Sequence, residues 1–210
     1  MKISVCYVMP NLNLPVYEPL ARRFISSYLN NPPGVADHDF HVLVNGPMLS
    51  AGQMRLFNPL VCHFHQCTNV GRDIGAYQWA AENVPCDLMV CLGTPVHFHK
   101  TGWLDRIERA FLDNGPALYG AWGFHQPSNH IRTTAFWLPP EMLKAYPFMI
   151  GDGQRYEFEH GGNSITQHAL KWGFDVLQVT WSGVYPLPEW HHCEREECLM
   201  LDQHSDRIGF

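Results

Sequence analysis

With 210 residues, 46% of them hydrophobic and 16% charged, the chain has enough apolar material to bury the core of one domain and too few charges for extensive disorder. Its formal net charge of −6 argues against a nonspecific nucleic-acid or membrane-surface binder, while leaving room for a local basic pocket. No apolar run approaches the roughly 20 residues that span a bilayer, and residues 1–8 are too short a stretch for a signal peptide, so a soluble, cytoplasmic protein is expected.

Residues 2–9, rich in β-branched and aromatic side chains and stopped by Pro10, predict a buried first strand. Residues 16–29 place Leu20, Phe24 and Leu29 on one helical face, and Asn30-Asn-Pro-Pro-Gly34 breaks that helix. A second strand is predicted over 40–44, ending at Asn45-Gly46-Pro47, and a third over 60–64, with a helix from about Asp73 to Asn83. Residues 87–92 are apolar throughout, as in a central strand. Behind a Thr101 cap, Trp103, Leu104, Ile107, Ala110 and Phe111 recur at helical spacing. Short strands are predicted over 117–122 and 131–138, the latter ended by Pro139-Pro140. Ser164 suits the start of a helix that runs to Trp172 and closes at Gly173, and 174–181 reads as a last strand.

Strands alternating with helices predict a largely parallel sheet covered on both faces, and the less regular second half makes it mixed. The expected class is α/β. It is a Rossmann-related single domain over 1–185, its central mixed, mostly parallel sheet flanked by helices, with 186–210 as a polar tail packed on it or extending from it. Ligands of open α/β sheets lie outside the carboxyl ends of the strands. That rule gathers Pro10, Asn11, Asn45, residues 69–73 and residues 93–97 on one edge.

The most distinctive stretch is Asn69-Val-Gly-Arg-Asp-Ile-Gly-Ala-Tyr77. Gly71 and Gly75 either shape a strand-to-helix turn or let an anion approach the backbone. The Arg72-Asp73 pair either caps the helix at the surface or meets a ligand. The seven cysteines form three Cys-x4-Cys spacings and none with the Cys-x2-Cys of zinc ribbons, and reduced thiols are expected.

The order of parts resembles nucleotide-sugar glycosyltransferases of the GT-A fold over residues 2–181. The resemblance rests on the first strand ending in Pro, the second ending in a polar-Gly pair, and Asn-x-Gly before a helix. It extends to Val96-His-Phe-His-Lys-Thr-Gly-Trp-Leu104 after the fourth strand and to the helix ending Lys171-Trp-Gly-Phe-Asp175. Asn-x-Gly-Arg-Asp-Ile-Gly is similar to a subset related to rhamnan-synthesis proteins and to transferases acting on algal-virus capsid glycans. The resemblance implies transfer of a hexose or deoxyhexose, such as glucose or rhamnose, from a UDP-sugar to a glycan hydroxyl, in the host cytoplasm if the source is viral.

By that resemblance Pro10 and Asn11 lie by the nucleotide base, and Asn45 replaces an Asp that contacts base or ribose. Asn69, Gly71, Arg72 and Asp73, with Gly93, Thr94 and Pro95, line the donor. A guanidinium forks onto phosphate oxygens and a carboxylate accepts from sugar hydroxyls. The family's Asp-x-Asp pair, which holds Mg²⁺ or Mn²⁺, should follow the fourth strand, where Gly93-Thr94-Pro95 stands instead. Neither Thr nor Pro offers the charged oxygens such a cation prefers. Metal is then absent, with Arg72 and backbone N–H groups neutralising the diphosphate; or Mn²⁺ or Mg²⁺ sits on unusual ligands such as His97, His191 and His192; or the domain binds nucleotide sugar or glycan without catalysis.

An acid that deprotonates the acceptor is implied in Tyr156-Glu-Phe-Glu-His-Gly-Gly-Asn163. If this stretch is extended, Glu157 and Glu159 share a side, as general base or as anchors for sugar hydroxyls; a solvated acidic loop is the alternative. Asp73 is a further catalytic candidate. Trp122, His125 and His160 are candidates for sugar or acceptor contact.

Overall fold

A computed structural model of the chain describes residues 1–12, 14–151, 153–191 and 194–203. In chain order the strands and helices are β1 (Ile3–Pro10), α1 (Leu14–Asn30), β2 (His38–Asn45), α2 (Ala51–Met54), β3 (His63–Cys67), α3 (Arg72–Asn83), β4 (Leu88–Leu92) and α4 (Trp103–Asn114). Then come β5 (Leu118–Gly120), β6 (Gly123–Phe124), β7 (His130–Ile131), β8 (Ala135–Leu138), α5 (Pro140–Lys144), α6 (Arg155–His160), α7 (Ile165–Lys171), β9 (Val176–Val179) and β10 (Val184–Pro186).

The main sheet of the described residues has eight strands in the order β10-β9-β5-β8-β4-β1-β2-β3. β1 is the axis. It runs parallel to β2 on one side and β4 on the other, and β3 continues the parallel set beyond β2. β8 is antiparallel to both β4 and β5, and β10 turns back on β9. The mixed, mostly parallel α/β architecture is therefore present.

Alternation along β1 divides the core. Ile3, Val5, Tyr7 and Met9 face a cluster that holds Phe24 of α1 and Trp103, Leu104 and Ile107 of α4. Cys6 and Val8 face the opposite cluster, with Ile74 and Tyr77 of α3, Met142 of α5 and Ile165 of α7. Two helical layers thus sandwich the sheet, as buried parallel strands require. Tyr7 stacks on Phe24 at 4.0 Å between ring centroids and Phe98 on Trp103 at 4.1 Å, so the first layer is largely aromatic.

Several local expectations are corrected. The third strand lies at His63–Cys67, because the parallel register with β2 runs from His41↔His63 to Asn45↔Cys67. α4 opens at Gly102 in the left-handed region (φ 84°) with no side-chain cap, so Thr101 does not cap it. The run 131–138 is broken at Thr133-Thr134: Ile131 joins the small β6–β7 pair, and β8 begins at Ala135. The 156–163 stretch is not extended; its first part is the helix α6. Of the two alternatives for the tail, residues 198–201 take the packed one. They bridge to Thr180 and His97, and Leu199, Met200 and Leu201 are buried in the core. Cys198 is disulfide-bonded, with a partner outside the described residues, which overturns the expectation that every thiol is reduced. Cys6, Cys62, Cys67, Cys86 and Cys91 are free.

Candidate active site

Because β1, β2 and β4 run parallel in matched register, their carboxyl ends meet along one edge, with Pro10 beside Asn45. A cavity of about 500 Å³ lies there. Its wall brings together Pro10, Asn45, Asn69, Arg72, Asp73, Gly93, Thr94 and Pro95, all anticipated from sequence, and adds Thr134, Arg155 and Gln203. Asn45 is buried, and its Oδ1 has no hydrogen-bond partner among the described residues. A buried unsatisfied acceptor is costly, so this oxygen is suited to a ligand donor.

The glycine turn explains itself in the packing. Gly71 has φ 74°, and a Cβ there would stand 2.1 Å from the carbonyl oxygen of Ile150. At Gly75 a Cβ would meet the Val70 carbonyl oxygen at 2.0 Å. What approaches these glycines is therefore the protein's own backbone. The strained turn continues into Arg72, itself at φ 52°. Arg72 is exposed at the start of α3, and its guanidinium has no ion-pair or hydrogen-bond partner among the described residues.

Asp73 lies 2.9 Å from Arg155 Nε, the carboxylate 17% and the arginine 42% exposed. Burial pushes the Asp73 carboxyl above its usual range, against the pull of Arg155 and of the Asp73 and Ile74 backbone N–H groups; nearby Glu159 adds to the rise. Burial opposes the charge on Arg155 too, but Asp73 and Glu159 outweigh it and hold the guanidinium above its ordinary value. The two directions are compatible. Asp73 Oδ1 and Arg155 Nε are close without hydrogen-bond alignment, and the more exposed arginine loses less hydration than the carboxylate.

α6 carries the remaining charged groups. Being helical, it sends its two glutamates in different directions. Glu157 is exposed and accepts from the Asn163 backbone N–H at 3.0 Å, closing the turn after the helix. Glu159 turns inward; Oε2 accepts from the Thr133 backbone N–H at 2.9 Å and from its hydroxyl, while Oε1 lies 3.0 Å from His160 Nε2. Burial lowers the His160 pKa, partly countered by Glu159. Glu159, His160, Arg72 and Arg155 line a second cavity of about 290 Å³, so the two cavities share both arginines.

The turn after β4 does not fit a hard divalent cation. Thr94 is buried and its Oγ1 donates to the Val8 carbonyl at 2.8 Å, leaving no charged oxygen there. The proposed histidine ligands are also dispersed. His97 is buried, with Nε2 2.7 Å from Arg23 and Nδ1 3.5 Å from the Pro95 carbonyl. His191 is exposed near the β9–β10 hairpin, and His192 lies outside the described residues. Among the described residues the set able to converge on a metal is His130, Glu159 and His160.

Three further candidates stand off the main cavity wall. Asn11 Nδ2 donates to the Pro47 and Met48 carbonyls, shaping the loop after β2. Trp122 is buried beneath the Arg132 guanidinium, 5.5 Å from the ring centroid. His125 is held by Asn129 Oδ1 at 2.9 Å and the Trp190 carbonyl at 3.3 Å.

Known structures share this fold. A mannosyltransferase from Pyrobaculum calidifontis, solved with GDP-Man and Mn²⁺, superposes with a TM-score of 0.51 at 10% identity, over 69% of this chain and 46% of its own. Mouse xyloside xylosyltransferase 1 matches with a TM-score of 0.52 at 8% identity, over 83% and 82% of the two chains. CMP:2-keto-3-deoxy-manno-octonic acid synthetase, complexed with CTP, matches at 0.53 and 9% identity, over 84% and 88%. The fold is GT-A-like. At these identities the likeness concerns architecture, and this GT-A-like chain spans less than half of the mannosyltransferase. No protein-family model matches the sequence, and no curated protein matches it.

Sequence reasoning missed Arg155, Thr134 and Gln203. Arg155 directly precedes the stretch singled out from sequence, but only a helix there turns it toward Asp73. Thr134 and Gln203 carry no motif; β8 and the chain's return over the sheet place them.

Proposed function

We propose that the protein is a nucleotide-sugar-dependent glycosyltransferase, moving a hexose or deoxyhexose from a UDP-sugar to a glycan hydroxyl. The observation that carries the reading is the cavity at the carboxyl ends of β1, β2 and β4, where two guanidiniums, Arg72 and Arg155, line the wall with the partly buried carboxylate of Asp73. In this reading the base and ribose lie against Pro10 and Asn45, and the diphosphate lies between the arginines at the start of α3. Guanidiniums supply fixed positive charge where the leaving group gains negative charge, a role that relatives with an Asp-x-Asp pair give to a metal. As the bond from the anomeric carbon to the diphosphate breaks and the bond to the acceptor oxygen forms, the hydroxyl proton passes to Asp73. A carboxyl whose affinity for protons is raised by burial suits that task. Glu159 positions the Thr133-Thr134 turn on the cavity wall, and His160 faces the acceptor side.

A second reading, a noncatalytic nucleotide-sugar-binding domain, is favoured by the neutral Gly93-Thr94-Pro95 turn. A thermal-shift panel of UDP-, GDP- and dTDP-sugars, with and without Mn²⁺, tests the site. The expected result is a shift with the UDP-sugars that does not need Mn²⁺, and no shift with any donor would end the proposal. Turnover of the donor in wild type and its loss in Asp73→Asn, with binding retained, separates the enzyme from the binder.

A further inference from the structure

β7 and the last turn of α6 bring together three groups that the donor reading does not join. One ligand atom each from His130, Glu159 and His160 lies within 4.8 Å of the others. The His130 ring and the Glu159 carboxylate are each held by a neighbour, while the buried Nδ1 of His160 has no hydrogen-bond partner among the described residues. His130 is almost fully buried, and its Nδ1 lies 2.8 Å from the Ser128 carbonyl; Nδ1 therefore donates there, and Nε2 is the nitrogen left to meet a ligand. The Glu159 carboxylate is fixed by Thr133 through Oε2, leaving Oε1 beside His160 Nε2. Ser128 Oγ donates to the His160 carbonyl at 2.6 Å, tying the segment before β7 to the end of α6. Outer hydrogen bonds that set tautomer and orientation are what metal-ligating histidines and carboxylates require.

We propose that His130, Glu159 and His160 form a three-ligand site for Zn²⁺ or a similar first-row cation, its fourth position open to the small cavity beside Arg72 and Arg155. Two imidazole nitrogens and one carboxylate oxygen select a borderline cation over Mg²⁺ or Ca²⁺, which prefer oxygen. A tetrahedral site with bonds of about 2.0–2.1 Å spaces its ligands about 3.3 Å apart, so small side-chain rotations close this set on the ion. The nearby charges permit it. Arg155 is offset by Asp73 at 2.9 Å and Arg132 by Asp202 at 2.8 Å, and Glu159 within the set faces the one charge left over on the cavity wall among the described residues, Arg72. Three protein ligands with one open position is the arrangement of catalytic rather than closed structural zinc. The site is separate from the turn after β4 and does not depend on the donor reading, because its test measures metal alone.

The test is titration of the metal-free full chain with Co²⁺, followed by visible absorption, and with Zn²⁺ by calorimetry. One equivalent is expected to bind with the intense visible bands of tetrahedral Co²⁺, and added inorganic phosphate should shift those bands through the open position. Glu159→Gln and His160→Asn should each weaken binding at least about tenfold. His65→Ala, which removes the other close imidazole pair (His41 Nδ1 to His65 Nε2, 3.0 Å), should leave it unchanged. His160 is partly exposed, so His160→Asn should fold and decides the matter if Glu159→Gln does not. No stoichiometric binding, full binding by His160→Asn, or loss in His65→Ala would overturn the site; Co²⁺ bands indifferent to phosphate would overturn its open position.

Discussion

Replacing Arg155 with Gln tests the two-arginine account most directly. The substitution keeps much of the side chain's bulk and removes its charge, from a wall shared with Arg72 and from a contact 2.9 Å from Asp73. A hydrogen bond to a charged group contributes about 1.5–3 kcal/mol. Arg155 is 42% exposed, so solvent screening places its share near the lower end, a loss of roughly 10- to 30-fold in affinity for UDP. Uridine lacks the diphosphate and should lose almost nothing. Calorimetry of UDP and uridine against wild type, Arg155→Gln, Arg72→Gln and the double variant isolates the effect. Since both arginines would hold one diphosphate, the two losses should not add. UDP affinity within twofold of wild type in Arg155→Gln, or an equal loss for uridine, would refute the reasoning.

Other outcomes follow from the same geometry. Gly71→Ala forces a left-handed φ, at about 1–2 kcal/mol, and drives a Cβ to 2.1 Å from the Ile150 carbonyl oxygen; a total near 3 kcal/mol should lower the melting temperature by roughly 6–12 °C, and an unchanged melt would contradict the turn. The folded pKa of Asp73 is raised above 3.8, so its contribution to stability is fully present below that value and is lost as pH rises through the folded pKa. Wild type should therefore lose stability relative to Asp73→Asn as pH climbs through that window, and a constant difference in melting temperature from pH 3 to 8 would count against it. Ser164 Oγ accepts from the Gln167 backbone N–H at 3.3 Å, so Ser164→Ala should cost about 1 kcal/mol. Thr101→Ala, at a residue that caps nothing, should stay within about 0.5 kcal/mol in the same denaturant titration.

The strand ends were readable because their signals are local. Pro10 ends β1, Asn45-Gly46 spans the end of β2, and the apolar run before Gly93 has the composition of a central strand, so the parallel-sheet rule gathers the cavity wall from the sequence alone. The failures arose where local composition was ambiguous or the cause was tertiary. Residues 60–62 look as strand-like as 63–67, and only the pairing of His63 with His41 sets the register. The segment 155–160 has no helical apolar stripe, its one fully buried residue being Phe158, so helix and extended loop were not separable and Arg155 went unnoticed. His130 meets Glu159 and His160 only because the turn at Thr133-Thr134 returns β7 to α6, a contact that spacing does not encode.

The residues after Cys198 give the cavity an unusual dependence. Leu201 pairs with His97, the fully buried Asp202 lies 2.8 Å from Arg132, and Gln203 completes the wall that Pro10 and Asn45 begin. Contacts so distant in sequence tend to form late. A chain with its sheet assembled but this segment undocked would hold every strand-end residue and still lack a closed site. Ligand affinity is thus a gauge of completed folding, and by mass action a bound ligand would hold the segment down in return.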